Sequence, residues 1–157
     1  MPNVLVLLID TLRADRLGTY GARPSPSPAL DGLAASGIVF EDSVSNSSWT
    51  MPSVAAILTG LHPRSHGAPP MMAVAPGSEP RPGFLAESLV TWPELAQEAG
   101  ISTVGVSANP LISRGTNLAQ GFEDFTELPW DGGTFGWYPA TEVNRRFLEW
   151  LDRKSVV

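Results

Sequence analysis

The stretch Val4-Leu5-Val6-Leu7-Leu8-Ile9-Asp10 decides how the rest of the chain is read. An unbroken apolar run rich in β-branched residues leaves no side for water. It predicts a strand covered on both faces, as in a parallel sheet. The run is too short to cross a bilayer and stops at a carboxylate. Met1, Pro2 and Asn3 ahead of it carry no basic group, and no cleavage-site pattern follows, so the segment reads as a first strand and not as a leader. With neither a leader nor a membrane segment in the sequence, the default compartment is the cytoplasm.

Downstream, Pro24, Pro26 and Pro28 lie among serines and mark a loop. Ser27 is placed to cap a helix with Pro28 at its first position. Leu30, Leu33 and Ala34 supply the helical stripe, and Gly37 ends it. Ile38 to Val44 reads as a second strand. Ser48 to Gly60 holds a second helix. Leu61 to Gly83 is rich in proline and glycine and reads as a long excursion, a lid or substrate loop. Thr91-Trp92-Pro93-Glu94 is a capping box with proline in the first turn. Leu95 and Ala99 continue that helix to Gly100. Ser102 to Ser107 is a third short strand, left at Asn109 and Pro110. Leu111 to Pro139 reads as irregular. Thr141 to Lys154 is an amphipathic helix with Val143, Phe147, Leu148 and Leu151 on one face. Alternating strands and helices predict an α/β fold, a largely parallel sheet flanked by helices. The sequence stops after a helix, where the next strand is due, so it is expected to be part of a longer protein.

Bulk properties narrow the function. The 157 residues suit one domain and are 43% hydrophobic and 17% charged, a globular balance. A net charge of −6 argues against a nucleic-acid surface. An anionic substrate stays open, because a bound cation reverses the local field. The absence of cysteine removes disulfides and thiolate metal sites.

Asp10 closes the first strand, at the sheet edge where open α/β folds bind ligands. Its carboxylate is either a ligand for a hard metal or a cap for the following turn. Thr50 lies at the start of the second helix. There, unpaired N–H groups and a dipole of about half a positive charge favour an anion. It is either an N-cap or a hydroxyl that a metal converts into a nucleophile. His62 and His66, in the Pro-rich loop after that helix, could bind metal, substrate or solvent; His62 reads as a surface residue and His66 as a substrate contact to an oxyanion. Asn109, at the end of the third strand, either bonds an oxyanion or makes an Asx turn before Pro110.

Asp10-Thr11-Leu12-Arg13-Ala14-Asp15-Arg16-Leu17-Gly18-Thr19-Tyr20-Gly21 resembles the opening motif of sulfatase-like proteins of the alkaline phosphatase superfamily. Pro28 to Ala34 with Val39-Phe40-Glu41 looks like that family's next helix and strand. Trp49-Thr50-Met51-Pro52-Ser53 with Leu58-Thr59-Gly60-Leu61 looks like its nucleophile helix, Pro63 to Gly67 like the turn after it, and Leu95 to Asn109 like the next helix and strand. The ordered series covers nearly the whole chain. The resemblance implies an alkaline-phosphatase-like fold, of which residues 1–157 would be the N-terminal part. It implies Thr50 as nucleophile, Asp10 and Thr50 as ligands of one divalent metal ion (Ca²⁺, Mn²⁺ or Zn²⁺), and further ligands downstream of the chain.

Two departures bear on the chemistry. The family's formylglycine arises from Cys or Ser in a Cys/Ser-x-Pro-x-Arg context, whereas here the pattern is Thr50-Met51-Pro52-Ser53-Val54. Many sulfatases also carry two adjacent aspartates after the first strand, whereas Thr11 follows Asp10. A single early Asp with a threonine nucleophile looks more like the phosphoryl-transferring relatives, lipoteichoic acid synthases and phosphoethanolamine transferases. The Lys and His that many sulfatases carry after the third strand give way to Ser107 to Pro110. The expectation is metal-dependent hydrolysis or transfer at a small-molecule or glycan sulfate or phosphate ester, with these 157 residues inactive alone. The alternative is a non-catalytic remnant of the fold.

Overall fold

In the structure, a computed structural model that describes residues 3–68, 84–128 and 139–154, the chain divides into two units, Met1–Val44 and Ser45–Val157. The first unit corrects the sequence reading. Val4 to Ile9 forms no strand, and its side chains are exposed, from 79% at Val4 to 47% at Ile9. Ile38 to Val44 forms none either, with Ile38 84% exposed. The physical reason is that a strand is completed by its ladder partners. An apolar run states what must be buried, not which backbone will pair with it. Among the described residues no strand pairs with either segment.

What orders the first unit is polar. Two 3₁₀ turns, Ala14–Arg16 and Gly18–Tyr20, lead into helix α1, Pro28–Ala35. Pro28 sits in the first turn, where its missing N–H costs nothing. Ser27 takes the N-cap position, but its hydroxyl makes no cap bond. It accepts the Gly18 N–H at 3.0 Å and reaches Asp31 Oδ1 at 3.3 Å. Asp31 also accepts the Thr19 N–H at 2.8 Å, the Thr19 hydroxyl at 2.9 Å, and a close bond from the Ser25 hydroxyl. These bonds, Ser25 first, hold the Asp31 carboxyl below the usual carboxylate range against the opposing effect of burial. Gly18 is buried in this clasp, where a Cβ would lie 2.1 Å from Asp31 Oδ2. Only glycine fits there.

The second unit holds the apolar core. Helix α2, Thr50–Thr59, buries Met51, Val54, Ala55 and Leu58, the i, i+3, i+4, i+7 stripe of an amphipathic helix. These meet Ala68, Leu85 and Leu118 in one cluster, with Leu89, Ile112 and Phe122 packed on it. Full burial of each large aliphatic side chain contributes about 1.5–3 kcal/mol. Gly60 ends α2 in the left-handed conformation and donates its N–H to Ala56 O at 2.9 Å. The one-turn helix α3, Pro63–His66, follows at once and packs on α2.

Helix α4, Trp92–Glu98, starts as expected: the Glu94 carboxylate accepts the Thr91 N–H at 2.7 Å. Strand β1, Val104–Ser107, lies within the expected third strand. Its partner β2, Asp124–Glu127, falls in a segment read as irregular. The two are parallel, with Val104 opposite Asp124 and Ser107 opposite Glu127. The observed sheet is therefore two-stranded among the described residues. Gly105 makes room for the Phe125 ring, which a Cβ would approach to 2.5 Å. Phe125 packs on Phe122, and Phe122 meets Trp92 edge-on at 6.0 Å between ring centres. Gly121, at φ +83°, lies against the start of α4, where a Cβ would sit 2.6 Å from the Glu94 nitrogen. Helix α5, Ala140–Lys154, packs on β1, and the Trp150 indole donates to Asp124 Oδ2 at 2.7 Å. Arg145 and Arg146 bond Glu142 on its exposed face, Arg145 first, and hold that carboxyl down at about 2. Of the expected lid, 61–68 is helix α3 and its flanks, and the remainder lies outside the described residues.

Candidate active site

Asp10 sits in a turn directly after the exposed apolar run, with its side chain exposed. The next residue, Thr11, has φ +56°. A β-branched residue in that region is a true outlier, and the left-handed conformation costs about 1–2 kcal/mol for a side chain of this type. The chain thus turns sharply on the residue beside the carboxylate.

Thr50 is the first residue of α2, with Trp49 as the N-cap. It is therefore not the cap itself, and it is half-buried. No acidic side chain occupies the first turn of α2, the end at which the helix dipole is positive. Pro52 stands in the same turn, where the lack of an N–H is tolerated.

The approach to Thr50 is fixed by a serine network that the sequence reading missed. Ser45 Oγ bonds Ser47 O at 2.7 Å and Ser53 Oγ at 2.9 Å. Ser53 Oγ also reaches Ser47 O at 2.9 Å, and Trp49 donates its N–H to Ser47 Oγ at 3.2 Å. The available signal was the Ser45-Asn46-Ser47-Ser48 run just before the helix, since serine hydroxyls bond nearby backbone at helix starts.

His66 is 4% exposed. The Ala68 N–H, which can only donate, points at Nδ1 at 3.0 Å. Nδ1 therefore carries the lone pair, and Nε2 carries the proton and donates it to Pro52 O at 3.1 Å. Burial pushes this imidazole below its ordinary pKa, outweighing the opposite pull of the Pro52 carbonyl. The expected substrate contact thus meets a ring whose two nitrogens are both engaged by backbone. His62 is exposed, as read, and its Nδ1 accepts the Arg64 N–H at 3.4 Å at the start of α3. Asn109 makes the Asx turn: Oδ1 accepts the Leu111 N–H at 2.9 Å. Its own N–H bonds Ser107 Oγ at 3.1 Å, which ties the turn to the end of β1.

Asp10 lies in the first unit, and Thr50, His66 and Asn109 in the second. The Asp10 carboxylate and the Thr50 hydroxyl are both hard oxygen donors, suited to a divalent cation. Two donors are fewer than such an ion takes. Among the described residues no group of three or more His, Cys, Asp or Glu side chains could complete a site.

The chain is 35% identical over 134 residues to human arylsulfatase A, covering 82% of this chain and 25% of that protein. It is 35% identical over 102 residues to human N-acetylgalactosamine-6-sulfatase, 63% of this chain and 20% of that one. It is 36% identical over 66 residues to an arylsulfatase of Clostridium perfringens, 42% of this chain and 14% of that one. The chain thus spans a quarter or less of the length of these relatives. Residues 2–144, the segment that carries Asp10, Thr50, His66 and Asn109, match the Sulfatase family, and the chain belongs to that family.

Proposed function

We propose that the protein carrying this chain hydrolyses sulfate esters with Thr50 as the attacking group. The observation that carries the reading is the place of Thr50 as the first residue of α2, in a turn without acidic side chains, inside the segment matched by the Sulfatase family. The Sulfatase family implies an alkaline-phosphatase-like α/β fold, and on that resemblance the Thr50 hydroxyl and the Asp10 carboxylate would each be a ligand of a divalent cation. When bound, a divalent ion there lowers the pKa of the hydroxyl and offsets charge on the ester oxygens. The Thr50 oxygen bonds sulfur as the bond from sulfur to the alcohol oxygen breaks, and the proton leaves with the alcohol. Water then attacks the sulfur, restores the Thr50 hydroxyl and releases hydrogen sulfate. The positive end of the α2 dipole would favour the charge that builds on the sulfate oxygens.

The relatives' names point to aryl sulfates and sulfated amino sugars as substrate classes. The threonine in place of Cys or Ser keeps phosphoryl transfer as a second reading, because it excludes the formylglycine route. The 157 residues alone are proposed to be inactive, since among the described residues no group of three or more His, Cys, Asp or Glu side chains could hold a metal ion. The test is an assay of the full protein on paired aryl sulfate and phosphodiester substrates. Thr50→Ala should lower kcat/KM on the sulfate by at least about 10³-fold, as loss of a covalent nucleophile does. Full activity in that variant removes Thr50 from the mechanism. No turnover of either substrate by the wild type favours a non-catalytic remnant. Faster turnover of the phosphodiester favours phosphoryl transfer.

A further inference from the structure

We propose that His66 is a positioning residue for the nucleophile helix: its Nε2–H holds the Pro52 carbonyl and so fixes the turn on which Thr50 sits. The inference rests on Thr50 being the nucleophile. It goes beyond that reading by assigning the buried imidazole a role through another residue.

Three observations carry it. First, the start of α2 is weakly anchored from within. Trp49 makes no side-chain cap bond, and Pro52 brings no N–H. The turn depends on outside bonds, and the His66 contact to Pro52 O at 3.1 Å is one of them. Second, the imidazole is itself held. The Ala68 N–H locks Nδ1 at 3.0 Å, and Gly60 and Gly67, both left-handed, bracket the short helix that carries the ring. A ring gripped on one nitrogen can aim the other with little freedom. Third, the ring lies beside the core helix at 4% exposure. A hydrocarbon side chain would fill such a place without desolvating polar atoms. A histidine with both nitrogens used is suited to setting geometry.

Two isosteres separate the bonds. An asparagine oxygen takes the place of Nδ1 and keeps the Ala68 bond. A glutamine amide takes the place of Nε2 and keeps the Pro52 bond. In the full protein, His66→Asn should lower kcat by about 10- to 100-fold with KM nearly unchanged, the cost of misplacing a reacting group by a fraction of an ångström to an ångström. His66→Gln should stay close to wild type. Hydrogen exchange by mass spectrometry should show faster exchange of amides 51–56 in the asparagine variant only. Kinetics are taken well below the melting temperature of each variant, so that loss of fold does not mimic loss of position. Wild-type kcat and exchange in His66→Asn, or an equal fall in both variants, overturns the proposal. Thr50→Ala separates the two readings. If that variant is inactive while His66→Asn behaves as wild type, the positioning role fails alone. If it is fully active while His66→Asn loosens amides 51–56, the nucleophile assignment fails alone.

Discussion

At the scale of single residues, Asp31 shows how much order one carboxylate can impose without an ion pair. Its donors are the Thr19 amide and the hydroxyls of Thr19, Ser25 and Ser27. Its pKa lies below the ordinary value, chiefly through Ser25. A carboxylate depressed in the folded state contributes stability above its unfolded pKa, and loses it as pH falls through the folded value. Ser25→Ala should therefore raise the Asp31 pKa toward the ordinary value of about 3.9. A carboxyl-carbon NMR titration reads this directly, and an unchanged pKa would assign the shift elsewhere. None of this was legible beforehand, because three hydroxyls and a carboxylate spread over 19–31 have no periodicity. The burial of His66, read in the sequence as a substrate contact, was hidden for a related reason. A histidine between Ser65 and Gly67 in a proline-rich stretch has no apolar periodicity around it to announce a buried ring. Pro63 and Gly67 were the available clue, since proline opens helices and glycine closes them. Thr50 and Asn109 were legible as to place, the one at a helix start and the other in a turn after a strand.

At the scale of elements, most helices and strand β1 were readable, whereas α3 and β2 were not. The starts of α1, α4 and α5 and the glycine end of α2 are written in local residues: Pro28, the Thr91–Glu94 pair, the Val143 to Leu151 stripe, Gly60. Strand β2 was missed because Asp124-Phe125-Thr126-Glu127 is short and begins and ends in charge. It becomes a strand through its parallel partner β1. The joint between β2 and α4 is Gly121. Adding a methyl group there meets the Glu94 nitrogen at 2.6 Å and the Thr91 hydroxyl at 2.7 Å, on a backbone with φ +83°. Gly121→Ala should cost about 2–4 kcal/mol, from overpacking together with the left-handed conformation. Urea unfolding measures this, and an unchanged midpoint would show that the contact yields freely.

At the scale of the whole molecule, the chain belongs to the Sulfatase family and spans a quarter or less of the human relatives it matches. No helix among the described residues is long and apolar enough to cross a membrane. The 157-residue chain by itself leaves Val4 to Ile9 in contact with water. It should therefore bind the dye ANS at neutral pH, and paired Leu5→Lys and Leu7→Lys changes should reduce the signal. An unaltered signal would place the sticky surface somewhere else. The same six residues carry backbone donors and acceptors that find no strand partner among the described residues. An unprotected edge of that kind invites a second molecule to lie alongside it. For anyone preparing the isolated chain, solubility would then be set by how concentrated the sample is more than by how warm it is, and lysines on this segment would raise the ceiling.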